Sequence, residues 1–252
     1  MHVRHASHGS APPLNCGVIR RERALRVIDR RWAGGGLAFL ALFSAASYSQ
    51  QPGQDWLVVP GKRVGAITAE TSDASLEALF GLDNVQRIDV YLGEGFTAPG
   101  TVVYANDATR RIEVVWSDSA RTVPKEVRLT GDSSVWHTAE GISLGSTLRD
   151  IERLNGFPFK LAGFAFDYAG TIVDCGRGRL TMLGCSGGND SQRAQQGRLV
   201  VIRLRPSVSA SGVPEYRQVQ GDRFFSSGHP AMQALNPRVY QMIVSIGPSG
   251  GL

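Results

Sequence analysis

Reactive side chains are scarce in this 252-residue chain, which carries five histidines and three cysteines. No Cys-x-x-Cys occurs, so the spacing that redox dithiols and zinc ribbons use is missing. His137 stands at no recognised metal-ligand spacing, and neither a metal nor a cofactor is expected. The glycine-rich stretches at 34–36 and 186–188 do not lead from a strand into a helix, the context that a dinucleotide or phosphate loop requires. Low-complexity tracts and heptads are also lacking. A bilayer span needs about 20 apolar residues, and the apolar run at 33–46 has only 14.

That run is nevertheless the most informative stretch. Seven arginines precede it (Arg4, Arg20, Arg21, Arg23, Arg26, Arg30 and Arg31), and small residues at 44–47 close it. A basic region, a short apolar core and a small-residue end read as a secretory signal peptide. Residues 1–46 are therefore expected to be a removed leader, and the mature protein to be periplasmic or secreted. Cys16 lies upstream of the run and no Cys directly follows it, so no lipid anchor is expected, and no membrane span remains after leader removal. The formal charge of +5 belongs to the leader, which holds 7 of the 27 Lys+Arg and 2 of the 22 Asp+Glu, leaving 20 of each. A neutral remainder without a basic stripe argues against a nucleic-acid partner. Of the scarce groups, only His137, His229, Cys175 and Cys185 survive processing.

Beyond a polar lead-in at 47–55, the pattern predicts a repeat, with a first unit at 56–118, a linker at 119–138 and a second unit at 139–205. The segment V-G-A-I-T-A-E-T-S-D-A-S-L-E-A-L-F-G at 64–81 matches G-I-S-L-G-S-T-L-R-D-I-E-R-L-N-G at 141–156, with Leu76 over Ile151, Leu79 over Leu154 and Gly81 over Gly156. Each reads as a short helix. Thr71, Ser72 and Asp73 can cap the first, and Thr147 with Asp150 makes a capping box for the second. Gly81 and Gly156 suit the left-handed position that ends a helix. The period then shifts toward two, which predicts strands at 86–92, 100–105 and 110–116, and at 161–168, 170–175, 179–184 and 198–204. A short strand at 125–129 falls in the linker. The C-terminal extension, 206–252, adds a helix near 230–235 and a strand at 238–246. The expected class is α+β: two helix-plus-antiparallel-sheet repeats with a C-terminal extension.

The two mature cysteines pose a conflict. An even pair in an oxidising compartment favours a disulfide. Yet 169–175 and 179–185 also read as a hairpin about Gly176–Gly178, which would hold Cys175 and Cys185 about 20 Å apart. A disulfide requires Cα atoms roughly 4.4–6.8 Å apart, so only one reading can hold.

The second helix segment carries the pattern Ile-x-x-Gly-x-(Ser/Thr)-x-x-x-(hydrophobic)-x-x-x-x-Gly from Ile142 to Gly156. It resembles the beta-lactamase-inhibitor-protein-like fold and the related small lipoproteins of outer-membrane assembly. The first unit matches loosely, with a longer stretch between Gly65 and Leu76. The resemblance spans about 64–205 and implies a binding or assembly role without catalysis, with a protein partner in the envelope. It transfers no contact residue to this chain.

Five aromatic residues are the binding candidates. Phe164, Phe166 and Tyr168 alternate and would share one strand face, buried on a helix or lining a groove. Trp116 and Trp136 bracket the linker and could pack together. Two competing readings remain. One is a secreted hydrolase using His229 with Ser226 or Ser227, or His137 with Asp167. The other is a carrier of a small apolar ligand on the 163–168 aromatic face.

Overall fold

The computed structural model describes residues 55–93, 95–185, 199–207, 210 and 212–246. The expected leader at 1–46, the stretch 186–197 and Glu94 lie outside the described residues. The chain divides into Met1–Ser47 and Tyr48–Leu252, and everything described belongs to the second part. Its architecture is α+β, with four helices and thirteen strands in three sheets among the described residues. None of these helices is long and apolar enough to cross a membrane.

The largest sheet has six strands, all antiparallel: β4 (Val85–Gly93), β5 (Phe96–Val103), β6 (Ile112–Trp116), β7 (Pro124–Thr130), β11 (Val200–Arg205) and β13 (Arg238–Ser245). Their order is β11-β13-β7-β6-β5-β4. One face carries Val103, Ile112, Val114, Val127, Leu129, Met242 and Val244, all buried in the main core. The other face buries Val90, Val102 and Val115. Gly100 permits this second packing, because a Cβ there would stand 2.3 Å from Val90 Cγ2. The Arg128 guanidinium donates to the Tyr91 carbonyl at 3.0 Å, from β7 to β4. Those strands would stand ~14 Å apart in a flat sheet, so the sheet coils sharply.

Helix α1 (Asp73–Phe80) packs on the core face through Leu76 and Phe80. Ser72 is its cap, in a capping box completed by Ser75. Asp73 begins the helix almost fully buried and joins a polar network. Its carboxylate accepts from Arg87 Nε at 2.6 Å and from the Thr101 hydroxyl, whose oxygen in turn accepts from Trp116 Nε1 at 2.9 Å. Gly81 has positive φ but extended ψ, because the chain passes straight into a 3-10 turn at Leu82–Asn84. The expected left-handed ending is thus not formed there.

The remaining strands make two small sheets. Strands β1 (Leu57–Val59), β2 (Arg63–Val64), β3 (Ile67–Thr68) and β8 (His137–Thr138) lie in the order β3-β2-β1-β8, with β1 parallel to β8. Strands β9 (Lys160–Ala162), β10 (Ile172–Asp174) and β12 (Phe224–Ser226) lie in the order β10-β9-β12. Helix α2 (Leu148–Asn155) has the expected capping box of Thr147 and Asp150, and Gly156 ends it in the left-handed conformation. Helices α3 (Pro214–Gln218) and α4 (Pro230–Leu235) follow near the C-terminus.

The second half departs from its sequence pattern. The strand expected at 161–168 stops at Ala162, and the one expected at 179–184 is a 3-10 helix, Arg179–Leu183. The segment expected at 198–204 is β11, which joins the six-stranded sheet rather than a separate meander. Residues of the C-terminal extension supply β12 and β13, and β13 lies between β11 and β7. Residues of the expected first unit, linker, second unit and C-terminal extension therefore all place strands in one sheet.

Cys175 and Cys185 are bonded, with Cα atoms 5.4 Å apart. The hairpin reading is overturned, and a buried amide explains why. Asn155, at the end of α2, is fully buried. Its Nδ2 donates to the carbonyls of Phe157 and Cys175, and its Oδ1 accepts from the Leu180 amide. Residue 178 must be glycine for this fit, since a Cβ would stand 2.0 Å from Asn155 Oδ1. The chain therefore curls around Asn155 instead of running on as a strand.

Two measurements check these interactions. Asp73→Ala leaves the Thr101 hydroxyl without its acceptor and should lower unfolding stability by about 1–3 kcal/mol, read from urea titration; an unchanged midpoint would contradict the network. Non-reducing mass spectrometry should show no free thiol at Cys175 or Cys185. Replacing both by Ser should cost about 2–3 kcal/mol, the loop entropy of a closure this short.

Candidate functional site

Helix α2 forms one wall of an open depression of about 490 Å³, lined by Arg149, Glu152, Arg153, Gly156, Phe157 and Pro158. Residues spaced by three and four on a helix share a face, so Arg149, Glu152 and Arg153 point the same way. Asp150 is committed to the helix cap: the Thr147 hydroxyl and amide both donate to it, and they hold its carboxyl below the usual range. Arg153 adds an ion pair at 2.8 Å.

Behind the depression lies a polar cluster. Ser227 is fully buried. Its hydroxyl donates to Glu152 at 3.0 Å and accepts from the Phe159 amide at 2.9 Å. The other Glu152 oxygen accepts from Gln233 Nε2 at 2.7 Å. Arg149 donates to the Gln233 carbonyl at 2.8 Å. These bonds fasten α2 to the 227–233 segment, so Glu152 acts as a clamp between helix and loop.

The histidines are similarly engaged. His229 precedes Pro230 and caps α4, its Nδ1 accepting from the Ala231 amide at 3.1 Å. Its ring meets Phe225 edge-on at 5.7 Å. Among the described residues no hydrogen bond joins its ring to Ser226 or Ser227; Ser226 Oγ accepts from the Gly228 amide instead. His137 is exposed, with Nδ1 3.0 Å from the Val135 carbonyl. Asp167 is also exposed, in the turn after β9. No group of three or more His, Cys, Asp or Glu residues is arranged to hold a metal among the described residues.

The aromatic candidates do not form one face. Ala165 has φ of 67°, which breaks the alternation on which the shared strand face depended. Phe164 is buried and stacks on Tyr216 of α3, with ring centroids 5.9 Å apart. Phe166 is half-buried, and Tyr168 is exposed with the Arg203 guanidinium 5.5 Å from its ring centre. Trp116 is buried in the Asp73 network. Trp136 is fully buried; it donates to the Arg110 carbonyl and meets Trp56 edge-on at 4.8 Å. Among the described residues no ring contact joins Trp116 to Trp136.

Sequence reading passed over Arg149, Arg153, Phe157 and Arg177. A signal was present: two arginines one helical turn apart, then a glycine and an exposed Phe-Pro pair. It also passed over the Gly-x-Ser-x-Gly pattern at 141–145. There Ser143 sits in the turn before α2, its amide bonded to Ser146 Oγ and its hydroxyl to the Leu144 carbonyl. That setting lacks the strand-to-helix elbow of a serine nucleophile.

Ser227→Ala strips the Phe159 amide and Glu152 of their shared partner and should destabilise the fold by about 1–3 kcal/mol, measured by urea unfolding. A change below a few tenths would show that the clamp carries little.

No protein-family model matches this chain, and it has no match among curated proteins or solved structures.

Proposed function

We propose that this chain is an exported, non-catalytic protein of a bacterial envelope that acts by engaging another protein. The arginine-rich leader with its short apolar core supports export, as does a buried disulfide, a bond that persists in oxidising compartments. The observation that carries the binding role is the state of the polar groups at 226–229. Ser227 and His229, the strongest catalytic candidates by sequence, hold a loop and a helix in place. Large apolar side chains, by contrast, stand at the surface, with Phe157, Met182 and Phe224 between 42% and 63% exposed. The motif at 142–156 and its likeness to beta-lactamase-inhibitor-like proteins agree with such a role.

The test is expression of the full chain in a Gram-negative host. Osmotic shock should release a processed protein whose N-terminus lies just past the small residues at 44–47. Chemical crosslinking in that extract should give a discrete adduct with a second protein. A chain retained unprocessed in the cytoplasm, or one that turns over ester or peptide substrates without any adduct, would overturn the reading.

A further inference from the structure

We propose that the face formed by α2, the Phe157–Pro158 turn and the disulfide-closed loop docks an acidic, apolar-anchored segment of a partner protein. This deepens the binding role above and rests on it. Arg149, Arg153, Phe157 and Pro158 line the 490 Å³ depression. Arg177, from the disulfide loop, lays its guanidinium 4.8 Å from the Phe157 ring centre.

Charge identifies the occupant. The carboxylates on this face are already committed, Asp150 to the helix cap and Arg153 and Glu152 to Ser227 and Gln233. Arg177 is exposed and makes no ion pair among the described residues. The face sets Arg149, Arg153 and Arg177 against Asp150 and Glu152, an excess of one positive charge, and the planar fork of the exposed Arg177 suits a carboxylate. Phe157 and Pro158 supply apolar surface beside them, and Phe157 is 42% exposed. An acidic segment with one aromatic or aliphatic side chain meets both demands. The face is also rigid: α2 is capped at both ends, and the loop is held by Asn155 and the disulfide. A preorganised surface loses little conformational entropy on binding.

The experiment uses the full processed chain and a fluorescein-labelled peptide, Gly-Glu-Glu-Phe-Glu-Glu-Gly, in a low-salt anisotropy titration. The parent should bind, and raising the salt should weaken the complex. Arg153→Glu combined with Arg177→Glu should weaken binding at least about tenfold. Phe157→Ala should also weaken it, whereas Lys125→Glu, an exposed charge on β7, should leave it unchanged. Circular dichroism and intact-mass analysis establish that each variant folds and keeps its disulfide. No binding by the parent, equal binding by the double variant, or equal binding of a peptide with Lys in place of Glu would overturn the proposal. So would capture by phosphatidylglycerol vesicles that the double variant abolishes, since that would assign the face to a lipid surface. The envelope crosslink separates the two levels: an adduct that survives the double variant refutes this face and leaves the binding role standing, while no adduct in the parent refutes the role itself.

Discussion

The pairing of β13 on both of its edges is the constraint on which the rest of the structure depends. Residues 238–245 enter the largest sheet as its second strand, bonding to β11 on one side and β7 on the other. Without that strand, β4 to β7 would be one meander and β11 would have no ladder partner in the sheet. The same segment anchors α2: the Leu148 amide donates to the Pro237 carbonyl, and Gly145 and Val239 bond backbone to backbone. The core under α1 and the clamp behind α2 are thereby parts of one cooperative body.

Local chemistry was the legible part of the sequence. The capping box of Thr147 and Asp150, the glycine ending α2, the helix at 230–235 and the last strand were all readable, because each depends on neighbours a few residues away. The strands of the large sheet were readable too, with the exception that β5 begins earlier than its apolar pattern does. What failed was the region between α2 and β11. There, alternating aromatics at 164, 166 and 168 mimic a strand. The backbone takes another course, with Ala165 at positive φ and the Gly170 amide bonded to the Gly163 carbonyl.

The disulfide loop failed for a different reason. Its hairpin pattern and its cysteine count made opposite demands, and the decision came from Asn155, about twenty residues upstream. A polar residue in the last turn of a short helix gives no sequence signal that it will be fully buried and triply bonded. The docking face was illegible on similar grounds. Arg177 meets Phe157 only because the loop wraps the end of α2, so its parts are scattered along the chain.

The sharp coil of the large sheet has a bearing on how this protein coexists with copies of itself. β4 is an edge strand of nine residues, and a long flat edge offers unpaired backbone groups to any passing strand. Here the bond from Arg128 to Tyr91 draws β4 out of plane, and Gln86, Arg87 and Asp89 stand exposed along it. A second chain would have to match that curvature and accommodate those polar side chains before it could add to the ladder. The coil that carries β4 out of plane thus also guards the exposed edge against runaway strand addition.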